Sequence, residues 1–213
     1  MEMARPIVCV LTDGSGSRGQ ARLESTTRVL ERTRSPQDAI YGRMSDRDIY
    51  TAILAQDLDL FLRLADELRN AFVTHQAACV VGDSIEGYNP SHDVCRLTIN
   101  AAVRMANRAL KAPIANYDFV LVGAPDEIPE AMRAATVRVC LDDEALARKL
   151  ESANGYPELA REVAAAIERF GTAPFRHEFP APGRAGRSLR MAGRQGPVLR
   201  ELRRKARRGR HLR

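Results

Sequence analysis

A chain of 213 residues is long enough to bury a full core, and its size suits one domain with an appendage. The hydrophobic fraction of 45% is that of an ordinary globular protein, and no apolar run approaches the roughly 18–20 residues of a membrane span. The net charge of +6 is unevenly placed: Arg176 to Arg213 holds 13 Lys+Arg against two Glu, which leaves residues 1–175 mildly acidic and argues against a nucleic-acid-binding core.

In chain order, "PIVCVLTDG" is a β-branched apolar run closed by a Gly-rich turn and predicts a buried strand. "ARLESTTRVLERTR" predicts a helix with Leu23, Thr26 or Thr27, and Leu30 along one side, and "DAIYGRMSD" a short strand and loop. From Asp46 to His75 the spacing of Ile49, Ile53, Leu60, Leu64, Leu68 and Phe72 predicts one long helix. "AACVVGD" is a second buried strand, and "VCRLTINAAVRMANRAL" a helix with Val94, Leu97, Ala101 and Met105 aligned. "YDFVLVG" is a third strand and "TVRVCLD" a fourth. "DDEALARKLESANGYPELAREVAAAIERFG" reads as two helices broken at "NGYP", the second stopped by Gly171.

Strands alternating with helices predict an α/β fold: a mostly parallel sheet with helices on both faces, formed by residues 1–175. Residues 176–213 are an Arg/Gly/Pro-rich tail, read as disordered apart from a short basic helix near Val198 to Arg208. The four cysteines show no C-x-x-C spacing and are expected to be reduced, mostly buried thiols. With no signal-peptide pattern at the N-terminus, the expected location is cytoplasmic.

In such sheets ligands bind outside the carboxyl ends of the strands. Two strand-to-helix loops, "TDGSGSRG" and "GDSIEGYNPSHD", belong on that rim and are expected to share one cleft. Gly14, Gly16 and Gly19 satisfy G-x-G-x-x-G, which suits a nucleotide or sugar-nucleotide diphosphate approached by backbone amides. Yet Asp38, the acidic residue about 20 positions on, precedes the next strand instead of ending it. The plainer alternative is a flexible Gly/Ser turn. Asp13 is either a substrate-handling carboxylate or an organiser of its turn. His92 is a metal ligand, a general base, or a turn histidine beside a helix N-terminus. Tyr88 is a donor to an oxyanion or a sugar hydroxyl, or packs over the loop. Arg22, Asp83 and Glu86 are candidates for binding sugar or anionic groups, with solvated surface roles as the alternative. Asp93 suits the first turn of a helix through the helix dipole.

The order of these segments resembles the LmbE-like (PIG-L) deacetylases. "VLTDGSGSRGQARLESTTRVL" is similar to that family's second strand, loop and helix, and "EGYNPSHD" to its H-P-D-H segment, with Pro90 on the proline and His92 on the last histidine. The resemblance implies a Rossmann-like fold and zinc-dependent removal of acetyl from an N-acetylated amino-sugar, a small-molecule substrate. It implies His92 as a zinc ligand, with Asp13 and Tyr88 as catalytic residues beside it. A catalytic zinc takes about three protein ligands and lowers the pKa of its water toward neutrality. The family's A-H-P-D-D motif, which supplies the other ligands and the base, is absent here. Asn89 and Ser91 stand where H-P-D-H has histidine and aspartate.

Three expectations follow. The missing strand is encoded upstream of Met1; or a divergent site is assembled from Asp13, Asp83, Glu86, His92 and Asp93; or the fold persists as a non-catalytic binding module. A polyanion-binding role rests on the tail alone, and a homo-oligomer is compatible with the composition.

Overall fold

The computed structural model describes residues 5–16, 19–124 and 136–183. It is a mixed α/β protein whose chain divides into two compact units: Met1–Asp57 with Gly123–Phe179, and Leu58–Val122 with Pro180–Arg213. Among the described residues no helix is long and apolar enough to cross a membrane.

The first unit begins with β1 (Val8–Thr12), α1 (Leu23–Thr33) and β2 (Gln37–Met44), a strand–helix–strand crossover in which β2 runs parallel to β1. Its register, Val8 with Gln37, Val10 with Tyr41 and Thr12 with Met44, is irregular. One cause is Gly42, at φ +58°, whose absent Cβ would lie 2.3 Å from Leu23 Cδ1 on α1. Only glycine combines that backbone with so close a helix. α2 (Asp46–Ala55) starts with a capping box: Ser45 Oγ accepts from the Asp48 N–H, and Asp48 accepts from the Ser45 N–H. The unit is completed by β5 (Val139–Cys140), α5 (Asp143–Asn154), a 3₁₀ turn at Pro157–Leu159, α6 (Ala160–Phe170) and β6 (His177–Glu178), with β5 antiparallel to β6. Tyr156 and Glu158 in the turn reach Thr26 and Ser25 of α1 at 2.7 and 2.8 Å. The break at "NGYP" and the stop at Gly171, φ +71°, match the sequence reading.

The second unit comprises α3 (Leu58–Thr74), β3 (Cys79–Asp83), α4 (Pro90–Ala106), β4 (Ala115–Phe119) and the edge strand β7 (Ala181–Pro182). β3 and β4 are parallel, paired from Cys79 with Ala115 to Asp83 with Phe119; β7 is antiparallel to β4. Leu64, Ala65, Leu68 and Phe72 of α3 and Ile99, Ala102, Val103 and Ala106 of α4 are buried and form this unit's core. Gly82 lets α4 lie close on β3, since a Cβ there would stand 2.6 Å from Ile99 Cδ1.

Several expectations are corrected. The described strands form three small sheets, two of them built on parallel pairs, in place of one continuous mostly parallel sheet. The long helix from Asp46 is two helices, because Gln56 adopts the left-handed conformation, φ 58°, and closes α2 with a C-terminal cap. On α4 the buried stripe is Ile99, Ala102, Val103 and Ala106 instead of Val94, Leu97, Ala101 and Met105, and Leu97 is exposed. Small residues on that stripe permit close packing, and the rotation carries Arg96 inward with them. The third strand begins at Ala115 and ends at Phe119, so Val120 to Val122 lie beyond it and are exposed. Cys9, Cys79 and Cys140 are exposed and Cys95 is half-buried, all as free thiols. Past Phe175 the chain continues in β6 and β7 as far as Gly183. The remainder of the tail, with the basic helix expected near Val198 to Arg208, lies outside the described residues.

Candidate functional site

The residues singled out from sequence fall into two groups. Asp13 and Arg22 belong to the first unit; Asp83, Glu86, Tyr88 and His92 belong to the second.

In the second unit, β3 ends at Asp83 and α4 begins at Pro90, with Asn89 as its N-cap: Asn89 Oδ1 accepts from the Ser91 N–H at 3.0 Å. Proline at the first helical position suits the cap, since its missing N–H is one that a helix start leaves unused. Within the first turn, His92 points back to the strand end, and its Nδ1 lies 2.5 Å from Asp83 Oδ2. The two side chains are 41% and 23% exposed, so the pair is open to solvent on one side. A carboxylate on Nδ1 fixes the tautomer with the proton there and directs the ring's basicity to Nε2.

The intervening loop is braced by two carboxylates. Asp93 accepts from the Glu86 and Gly87 N–H groups at 3.0–3.2 Å. Glu86 in turn accepts from the Leu121 and Val122 N–H groups at 3.1 and 3.2 Å. Both acids hold backbone, each Glu86 carboxylate oxygen accepting one of its two bonds. Tyr88 stands on the braced loop, 64% exposed.

In the first unit, Asp13 organises its own turn. Its Oδ1 accepts from the Ser15 N–H at 2.9 Å and the Asp46 N–H at 3.3 Å, so it also caps the start of α2. Partial desolvation alone would raise the Asp13 pKa, but the hydrogen bonds from Ser15 and Asp46 outweigh it and hold the carboxyl below its usual range. The Gly16 N–H donates to Asp46 Oδ2 at 2.6 Å. Thus two amides that would cradle a diphosphate already face carboxylates, an arrangement that opposes a second anion. Gly14 and Gly16 have φ of +66° and +54°, and Arg22 packs against both. Ser17 and Arg18 lie outside the described residues. Asp38 sits near the start of β2, not at its end, and accepts from the Ile40 N–H.

Zinc needs about three ligands, and among the described residues no group of three or more His, Cys, Asp or Glu could hold a metal ion. His92 has Asp83 beside it, while Asp93 and Glu86 are committed to backbone. The described residues do not fit a zinc centre, and the chemistry they offer is that of the histidine–carboxylate pair itself.

Sequence reasoning passed over Arg96, Asn100, Asn116 and Asp118, all in the second unit. Arg96 is fully buried. Its Nη1 donates to the Tyr117 carbonyl at 2.7 Å and its Nη2 to Asn116 Oδ1 at 3.0 Å. Asn116 Nδ2 donates in turn to Asn100 Oδ1 at 2.8 Å. The signal was present in the spacing: His92, Arg96 and Asn100 recur every four residues, one stripe of a helix.

No family model matches the chain, and no curated protein matches it in sequence. Among solved structures, the chain is similar to the crystal structure of the antimicrobial reagent A40926 pseudoaglycone deacetylase Dbv21. The TM-score is 0.53 at 17% sequence identity, over 83% of this chain and 81% of that one. At that identity the likeness is one of fold.

Proposed function

We propose that the chain is a deacetylase-type amide hydrolase acting on an N-acetylated amino-sugar conjugate, with the His92–Asp83 pair as its working centre. The observation that carries this reading is the 2.5 Å contact between His92 Nδ1 and Asp83 Oδ2 at the carboxyl end of a parallel strand pair. The fold likeness to a deacetylase and the "EGYNPSHD" segment support the choice of reaction.

In the proposed step Nε2 of His92 takes a proton from water as the water oxygen bonds to the amide carbonyl carbon. Asp83 stabilises the imidazolium that forms. The carbonyl oxygen becomes the oxyanion, for which Tyr88 is the proposed donor. When the C–N bond breaks, Nε2 returns the proton to the leaving amine, giving acetate and a free amino-sugar.

Acetate release from a panel of N-acetylglucosamine conjugates tests the reading. Wild-type protein is expected to release acetate and amine in equal amounts. General acid–base groups contribute typically 10²–10⁴-fold, so His92→Gln and Asp83→Asn are each expected to lose about 100-fold or more. A panel with no acetate release, or a His92→Gln variant at the wild-type rate, overturns it. Metal analysis of the same protein separates a zinc enzyme from the pair: zinc well below one equivalent is expected from a centre with this donor set.

A further inference from the structure

We propose that Arg96 is a positioning residue for the His92–Asp83 pair, its buried guanidinium locking α4 to β4 so that the imidazole meets the carboxylate. The inference rests on the reading of that pair as the working centre.

Arg96 lies one helical turn after His92 on α4 and is 0% exposed. It spans from the helix to β4, donating to the Tyr117 carbonyl at 2.7 Å and to Asn116 Oδ1 at 3.0 Å. Asn116 is fixed on two further sides, by Asn100 of α4 at 2.8 Å and through its carbonyl, which accepts from the Gly183 N–H at 2.7 Å. Nη2 also passes 3.7 Å from where a Cβ of Gly82 would stand, directly behind Asp83. One side chain therefore touches both halves of the arrangement: the helix that carries His92 and the strand pair that carries Asp83.

Packing alone does not account for an arginine here. A buried guanidinium is costly unless its charge and donors are met, and Arg96 Nε is buried with no hydrogen-bond partner among the described residues. Burial pulls its pKa below the usual value, a shift that the carboxylates of Asp118 and Asp83 offset only in part. A Met or Leu would fill the space without that penalty. What an apolar side chain cannot supply is direction. Two planar donors aimed at fixed acceptors define both the rotation and the axial position of α4, and a slide of one residue breaks both bonds. The His92–Asp83 contact depends on the same two coordinates.

The test uses the full-length wild type with Arg96→Met, Arg96→Lys and Arg96→Ala, the last with and without added guanidinium. Circular dichroism and thermal melting report folding, and the downfield Nδ1 proton resonance of His92 reports the pair. kcat and KM for acetate release report catalysis. In folded Arg96→Met the resonance is expected to be lost. kcat is expected to fall about 100-fold, as misplacement of a catalytic group by roughly 1 Å costs, with KM little changed. Guanidinium is expected to restore both to Arg96→Ala. A folded Arg96→Met with the resonance in place and kcat intact overturns the proposal. Should Arg96→Met not fold, Arg96→Lys decides: a displaced resonance supports positioning by the planar fork, and an unchanged one overturns it. Because the resonance reads the pair without turnover, its loss in a protein that releases no acetate keeps the positioning role while sinking the hydrolase reading.

Discussion

At the residue scale, similar side chains serve opposite ends. Asp83 ends β3 and Asp13 follows β1, and both sit where a ligand-handling carboxylate is expected. Asp83 meets a histidine, whereas Asp13 meets backbone amides of its own loop and of α2. Sequence could place these acids but not choose between them, because the choice depends on which N–H groups arrive from the next element. For Asp13 that element is α2, more than thirty residues away. The engagement of Asp13 has a titration signature. Hydrogen bonding holds the Asp13 carboxyl below its unfolded value, and the Ser45 and Ser25 hydroxyls do the same for Asp48 and Glu158. A group with a lowered folded pKa contributes its stability fully above the unfolded pKa, about 4, and loses it as pH falls through the folded value. Thermal melting from pH 7 to pH 2.5 is therefore expected to show stability declining below about pH 4, with a shallower decline in Asp13→Asn. An acid decline equally steep in that variant would contradict the role given to Asp13.

At the element scale, the order and type of the longer segments were legible: strand, helix, strand, then helices around "CVVGD", and a pair of helices broken at "NGYP". Periodicity carries that information without tertiary knowledge. Two features escaped it. The break at Gln56 has no Gly or Pro to announce it; the residue takes the left-handed conformation to cap α2, and an apolar periodicity continues across it. The buried face of α4 was misjudged because hydropathy favours Leu97 over Arg96, while the core accepts the stripe of Ile99, Ala102, Val103 and Ala106. Arginine was then drawn inside, where it found acceptors on β4. The same logic makes Gly42 the pivot of the β1–α1–β2 crossover. Placing an L side chain at its φ of +58° costs about 1–2 kcal/mol before any clash with Leu23. Gly42→Ala is expected to lower the unfolding free energy by at least that amount in urea denaturation, and an unchanged midpoint would refute the close approach of α1.

At the scale of the whole molecule, the alternation of strands and helices specified an α/β protein, and the fold likeness to a solved deacetylase agrees with that class. Among the described residues the strands do not form a single continuous sheet: pairing partners are set by long-range register, which period-two and period-3.6 patterns do not encode. The uneven charge was plain in the sequence, whose last 38 residues carry the whole basic excess. The two loops expected to share one cleft belong to different units. They also differ in chemistry: one closes its amides with carboxylates, the other presents an oriented imidazole. That contrast gives the account its most direct test, a residue-resolved NMR titration of the full chain. The probes are methyl N-acetylglucosaminide and, separately, a sugar nucleotide. The expected result is that the acetamido-sugar shifts Asp83, Tyr88, Ser91 and His92 and leaves Gly14 to Gly16 unmoved. Shifts centred on Gly14 to Gly16, or an unmoved His92 at saturation, would contradict it.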